Sequence, residues 1–258
     1  MSYLRLFIGE GYYMMDKTLI KAILFDSGRT LNVPRTGQWH ITPNFYEIID
    51  KDKITSNPMV LRNAMGKASD YINKILKVST QEEEFLMFKE FYRIALNEIQ
   101  YPVIDDNVLT ALAKDNVYND EKFLFFDDVE PSLKVLVKKY KVGVVSDTWP
   151  SLERVFVNKG LRKYFSTFIM SSIYGSSKAE KILLKIAIDE LNVKANETLF
   201  IDDSESNLKA VEEFGMIPIL IDRYDRKELQ SKYPIIRSLE ELSKLKNLEV
   251  PKGIYMGD

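Results

Sequence analysis

The chain has 258 residues, 45% of them hydrophobic, enough to bury a full core in one large domain or in a domain carrying a smaller one. Its 36 basic against 38 acidic residues leave a formal charge of -2, so there is no general attraction for nucleic acid or anionic membranes, and a small molecule is the expected partner. The absence of cysteine excludes disulfides, zinc thiolates and cysteine nucleophiles, and fits a reducing, cytoplasmic setting.

Residues 1–16 show neither a basic start followed by an apolar run nor a cleavage site, and no stretch approaches the roughly 18 apolar residues of a membrane span. A soluble, unexported protein is expected, with residues 1–15 as a terminal extension ahead of the first clear strand. That strand, Lys21-Ala-Ile-Leu-Phe25, is a short apolar run stopping abruptly at Asp26.

From Val33 to Lys122 the pattern changes to helical periodicity, which predicts an all-helical insertion. Leu61, Ala64, Ala68, Tyr71, Ile72 and Ile75 make one stripe; Phe85, Phe88, Phe91, Ala95 and Ile99 make another, behind a capping box of Thr80 and Glu83. Helical spacing accounts for these aromatic residues as core, without a cofactor.

A helix over 131–140 then leads to the strand Lys141-Val-Gly-Val-Val145, which stops at Ser146, and Trp149-Pro150-Ser151 reads as a helix start. A helix over 178–191 precedes the strand Thr198-Leu-Phe-Ile201, which stops at Asp202. Ser204 is placed to cap a helix over 204–214 that ends at Gly215, and Ile217 to Ile221 forms a fourth strand. Strands alternating with helices predict an α/β fold, a doubly wound, Rossmann-like parallel sheet covered on both faces. Residues 249–258 read as a tail.

In such a sheet ligands bind beyond the carboxyl ends of the strands. Asp26, Ser146, Asp202 and Asp203 all occupy these ends, and Lys178 follows the Gly-Ser-Ser loop 175–177. A strand-end aspartate can attack phosphorus, a divalent cation can offset the repulsion between carboxylate and phosphate, and a hydroxyl and an ammonium can hold the phosphoryl oxygens.

These residues carry a resemblance. Ile23-Leu-Phe-Asp26-Ser-Gly-Arg-Thr30-Leu is similar to the nucleophile strand of the haloacid dehalogenase superfamily, Val144-Val-Ser146 to its second motif, Gly-Ser-Ser-Lys178 to its lysine motif, and Leu199-Phe-Ile-Asp202-Asp203-Ser-Glu-Ser-Asn207 to its acidic motif. The order and spacing of all four are far more specific than any one alone. The resemblance implies a core of residues 16–32 and 123–248 with a helical cap at 33–122. It implies Asp26 as nucleophile and metal ligand, with Ser146 and Lys178 holding the transferring group. Asp147, Arg29 and His40 are expected to touch substrate. Mg²⁺ is the implied cofactor, bound by Asp26, the Gly28 carbonyl and Asp203, with Asp202 beside them and Asn207 in support. Lys181, close to Lys178, reads as a solvated helix residue.

The chain departs from the family's phosphatases at the second residue after the nucleophile, where an aspartate that acts as acid and base is replaced by Gly28, followed by Arg29 in place of glycine. Loss of a positioned acid costs about 10²- to 10⁴-fold, mainly for leaving groups that need a proton. Three readings follow. The chain is a phosphatase of a small phosphorylated metabolite whose acid is water or His40, or whose substrate leaves unaided. It cleaves carbon–phosphorus or carbon–halogen bonds, with Lys67 as a possible Schiff-base lysine in the phosphonate case. Or it is a catalytically silent binding or regulatory module. Arg35 and Trp39, in the passage from core to cap, are further candidates for substrate contact.

Overall fold

A computed structural model describes residues 4–8, 11–15, 18–50, 52, 58–224, 226, 230–244 and 249–250. Within the segment expected to be a plain extension, β1 (Leu4–Ile8) and β2 (Gly11–Met15) pair as an antiparallel hairpin. β3 (Thr18–Leu19) pairs antiparallel with Glu249–Val250, and the rest of the expected tail lies outside the described residues.

The sheet is organised around β4 (Ala22–Phe25), whose four side chains are all buried. They divide between two cores by the two-residue alternation of a strand: Ile23 and Phe25 pack on one face, Ala22 and Leu24 on the other. Next come β5 (Asn32–Pro34) and the helices α1 (Phe45–Ile48), α2 (Pro58–Ile72), α3 (Gln81–Glu98) and α4 (Asp106–Tyr118). These helices enclose a third core of their own, in which Phe88, Phe91, Leu61 and Ala68 of the two expected stripes are buried. The Thr80 hydroxyl accepts from the Glu83 N–H at 3.2 Å, completing the expected capping box at the start of α3.

The insertion is not wholly helical at its base. β6 (Phe123–Phe125) returns antiparallel to β5, and the Arg35 N–H donates to the Lys122 carbonyl at 2.8 Å, so both chain passages leave the sheet as one ribbon. These strands are too short to show alternation, which is why periodicity passed over them.

Beyond them follow α5 (Val129–Leu136), β7 (Lys141–Ser146), α6 (Ser151–Asn158), β8 (Thr167–Met170), α7 (Ser171–Tyr174), α8 (Ile182–Leu191), β9 (Thr198–Asp202), α9 (Glu205–Glu213), β10 (Ile217–Ile221), β11 (Ile235–Ile236) and α10 (Glu240–Lys244). The six-stranded sheet runs β11-β10-β9-β4-β7-β8, parallel throughout. Two strands, β8 and β11, were not expected. The helix expected over 178–191 begins at Ile182, because Lys181 has a left-handed φ of 66° that breaks the turn. Gly143 of β7 is required by packing, since a Cβ there would collide with Thr167 and Leu24.

Connections leave β4 for β7 and β8 on one side and for β9, β10 and β11 on the other. The order therefore reverses between β7, β4 and β9, and the reversal opens a crevice at their carboxyl ends.

Candidate active site

Asp26 extends β4 by one residue, its N–H donating to the Ile201 carbonyl at 2.9 Å, and is 6% exposed. The chain then folds sharply over the Ser27 carbonyl, which accepts from the N–H groups of Thr30, Leu31 and Asn32 at 3.3, 2.8 and 3.1 Å. The turn puts Arg29 in the left-handed region at φ 57°, a strain of roughly 1–2 kcal/mol for a residue with a Cβ. Arg29 is nevertheless exposed at the rim, and its charge acts on Asp203.

Lys178 reaches the same point from the opposite side. Gly175, left-handed at φ 63°, ends α7, and the Lys178 N–H then donates to Asp147 Oδ1 at 3.1 Å, which fixes the backbone. Its side chain is 2% exposed, and Nζ donates to Asp26 Oδ1 and to Asp202 Oδ2, both at 2.7 Å. Ser146, at the end of β7, donates its hydroxyl to the same Asp26 Oδ1 at 3.1 Å. One oxygen of Asp26 is thus held by an ammonium and a hydroxyl.

Asp202 is saturated. Besides Lys178, it accepts from the Ser204 N–H at 2.9 Å and from Asn207 Nδ2 at 3.2 and 3.1 Å. Asn207, expected in a supporting role, therefore holds the carboxylate that holds the lysine. Ser204 precedes α9 but does not cap it with its side chain; its hydroxyl lies 2.7 Å from that of Ser206.

Asp26, Asp202 and Asp203 each present an oxygen within 4.8 Å of the others. Burial pushes the Asp202 carboxyl up, against the pull of Lys178, and the neighbouring Asp26 pushes it further; burial and Asp26 likewise raise Asp203. Burial alone would depress the Lys178 ammonium, but Asp26, Asp202 and Asp147 outweigh it and hold it above the ordinary lysine range. Three carboxylates against one ammonium leave an excess of negative charge that a divalent cation fits. Asp202 has its oxygens engaged, so Asp26, Asp203 and a backbone carbonyl are the better ligands. The Gly28 carbonyl suits that role, because the bridge at this residue uses Asn32 N–H to Ser27 and Arg29 N–H to Asn32, at 3.1 and 2.6 Å, and spares it.

The cluster forms the floor of a cavity of about 420 Å³. Its roof comes from the helical insertion and the ribbon, through Trp39, His40, Glu84, Phe88, Lys122 and Phe123. Trp39 packs against Phe123, with ring centroids 5.6 Å apart, and closes over Gly28.

His40 is half-buried against Phe91, centroids 4.6 Å apart, and desolvation together with the Lys122 charge pushes its imidazole down to about 3. It lines the cavity, and with its imidazole neutral near pH 7 it is poorly suited to the part of a substitute acid. Lys67, the Schiff-base candidate, is exposed on α2 and paired with Glu98, far from the chemistry of a desolvated amine. Arg35 is tied to Glu121 at the ribbon and does not line the cavity. Lys181 is solvated and paired with Glu213.

Sequence reasoning passed over Glu84 and Lys122. Glu84 follows two other glutamates in the first turn of α3, where acidic residues are ordinary. Yet it is fully buried and accepts from the Ser151 N–H at 2.8 Å and hydroxyl at 2.7 Å, tying the insertion to the loop beyond Ser146. Lys122 sits in a charged run, Asp120-Glu121-Lys122, that gives no sign of burial.

A family model described as haloacid dehalogenase-like hydrolase matches residues 20–215. A putative pyrophosphatase PpaX of Clostridium perfringens is 28% identical over 204 residues, covering 76% of this chain and 81% of its own. Bifunctional epoxide hydrolase 2 of Sus scrofa is 25% identical over 136 residues, which span 51% of this chain but only 23% of that protein. Among solved structures, the HAD-hydrolase YfnB of Bacillus subtilis, bound to magnesium, superposes with a TM-score of 0.61 at 16% identity, covering 87% of this chain and 97% of that one.

Proposed function

The chain belongs to the haloacid dehalogenase-like hydrolases, and on that premise we propose that it is a Mg²⁺-dependent cytoplasmic phosphatase of a small phosphorylated metabolite, working through an aspartyl-phosphate at Asp26. The observation that carries the reading is the fixing of Asp26 Oδ1 by Lys178 at 2.7 Å and Ser146 at 3.1 Å beside two further carboxylates. A dianionic phosphoryl group needs the ammonium, the hydroxyl and the fixed nucleophile that this arrangement supplies.

In this mechanism an Asp26 oxygen attacks phosphorus and the bond from phosphorus to the leaving oxygen breaks, its electron pair staying with that oxygen. Lys178 and Ser146 turn from Asp26 to the phosphoryl oxygens as charge shifts onto them. Water then attacks the acyl phosphate, releasing inorganic phosphate and restoring the Asp26 carboxylate. Mg²⁺, when held by Asp26, Asp203 and the Gly28 carbonyl, supplies positive charge that lets two anions approach. Asp202 and Asn207 keep Lys178 aimed at the floor.

Neither Trp39 nor His40 replaces the missing aspartate. Trp39 covers Gly28 and is no acid, and the His40 imidazole is held neutral. The substrate is therefore one whose leaving oxygen departs unaided or takes its proton from water, such as an acyl, enol or aryl phosphate. The exposed, paired Lys67 speaks against a phosphonate-cleaving Schiff base, and the carboxylate cluster against a carbon–halogen hydrolase, which needs no divalent cation.

The test is turnover of p-nitrophenyl phosphate, acetyl phosphate, sugar phosphates and phosphonoacetaldehyde with and without Mg²⁺, beside Asp26→Asn. Mg²⁺-dependent hydrolysis of the first two, abolished in Asp26→Asn, supports the reading. Silence throughout, with no trapped phosphoryl-enzyme, overturns it in favour of a binding module.

A further inference from the structure

The roof of the cavity holds a lysine that the proposed chemistry does not use. Lys122 is 6% exposed and stands where the insertion rejoins the core. Its ammonium donates to the Asn116 carbonyl at 3.0 Å and to Asn116 Oδ1 at 2.7 Å. An ammonium has three N–H groups, and among the described residues the third finds no acceptor. Asn116 is itself anchored, its Nδ2 donating at 2.8 Å to the Tyr92 hydroxyl, which donates in turn to the His40 carbonyl at 2.9 Å. The cation is thus held in place, on a wall of the same cavity whose floor is Asp26.

Aromatic rings stand around it. Nζ lies 5.7 Å from the centroid of Phe88 and 5.2 Å from that of Phe123, and Trp39 packs on Phe123. His40 faces Lys122 with Nδ1 unpaired and uncharged, so it neither repels nor neutralises the ammonium. Burying an ammonium with one donor unused is costly, and a ligand anion would offset that cost. The Glu84 and Asp115 carboxylates already act on this ammonium, so the wall offers a ligand no more than one positive charge. Glu84, in the same wall, is committed to Ser151 and would repel a second dianion, whereas a monoanionic carboxylate matches one ammonium.

We propose that Lys122 is a specificity residue that binds a carboxylate on the leaving portion of the substrate, so that the enzyme acts on phosphates of flat carboxylic acids, aromatic or enolic. The flat skeleton would lie between Trp39, Phe88 and Phe123, with the phosphoryl group at Asp26 and the carboxylate at Lys122. A conjugated leaving group of this kind also departs without the acid that Gly28 lacks. This inference rests on the phosphatase reading for its scissile group, but the carboxylate subsite is testable apart from turnover.

The matched probes are 4-carboxyphenyl phosphate and its methyl ester, which differ in the charge at the far end. The wild-type enzyme is expected to prefer the acid by about 10- to 100-fold in kcat/KM, expressed mainly in KM, the range of one charge-assisted hydrogen bond. In Lys122→Met and Lys122→Gln that ratio is expected to fall to about one, whatever the remaining activity. No preference in the wild type, or a preference that survives both substitutions, overturns the proposal. If neither substitution yields folded protein by circular dichroism, the wild-type ratio decides. If the wild type turns over neither probe, the phosphatase reading has failed, and calorimetry of both probes on Asp26→Asn decides the subsite separately. Tighter binding of the acid supports it and equal binding overturns it.

Discussion

The indole of Trp39 stands over Gly28 so closely that a Cβ at residue 28 would meet Cζ2 at 3.3 Å and Cη2 at 4.0 Å. The position from which the family's usual acid would project is therefore not vacant but roofed. Gly28→Asp alone is expected to cost about 1–3 kcal/mol of stability by overpacking and to bring little gain on alkyl phosphates. Combined with Trp39→Ala, it is expected to raise alkyl relative to aryl phosphate turnover by about tenfold or more, since a positioned acid is worth about 10²- to 10⁴-fold. Thermal melts and the two kcat/KM values check both parts, and a gain from Gly28→Asp without the second change would show that Trp39 yields easily.

Lys178 is the cation on which the floor depends. Lys178→Met would leave Asp26 and Asp202 as facing buried carboxylates, at a cost of about 3–5 kcal/mol, with activity lost. The double variant Lys178→Met/Asp202→Asn is expected to recover part of that stability but none of the activity. Chemical denaturation of the two variants beside the wild type measures the difference. Equal stability of single and double variants would mean that the repulsion is relieved in another way.

His40 makes a prediction about pH. Its imidazole is pushed by burial down to about 3, below the ordinary value of 6.5 that it regains on unfolding. Between these values the unfolded chain binds a proton that the folded chain does not. Folding stability therefore falls as pH drops from about 6.5 toward 3, by up to about 1.4 kcal/mol per pH unit from this group. His40→Gln is expected to flatten that acid limb in melts between pH 4 and 7 while leaving the pH profile of kcat between 6 and 8 unchanged. A kinetic limb that vanished with His40 would return it to the role of acid.

How much of this was legible in the chain follows from which signals are local. Asp26, Ser146 and Asp202 could be read because a buried parallel strand is an apolar run, and its first polar residue marks the carboxyl end of the sheet. Gly28 could be read as a departure, but not what fills its place, since Trp39 arrives through a turn with no periodicity. The edge strands β8 and β11 were missed because Thr167–Met170 and Ile235–Ile236 are too short to contrast with their surroundings. Glu84 and Lys122 were missed for the opposite reason. Each sits where charge is commonplace, and only the docking of the insertion on the core buries them.

The two adjacent aspartates after β9 should separate when they are replaced singly. Asp202 gives its oxygens to Lys178, the Ser204 N–H and Asn207, whereas Asp203 faces the cavity at intermediate burial. Chelation by EDTA is expected to abolish turnover and Mg²⁺ to restore it. Asp203→Asn is then expected to raise the Mg²⁺ concentration for half-maximal activity by about 10- to 100-fold, because a direct ligand is lost. Asp202→Asn keeps the cation but frees Lys178 from one of its two anchors, so kcat is expected to fall while the Mg²⁺ requirement changes little. Titration of Mg²⁺ into the apo forms of both variants distinguishes the roles, and an equal rise in Mg²⁺ requirement for the two would make Asp202 a ligand rather than the holder of the lysine.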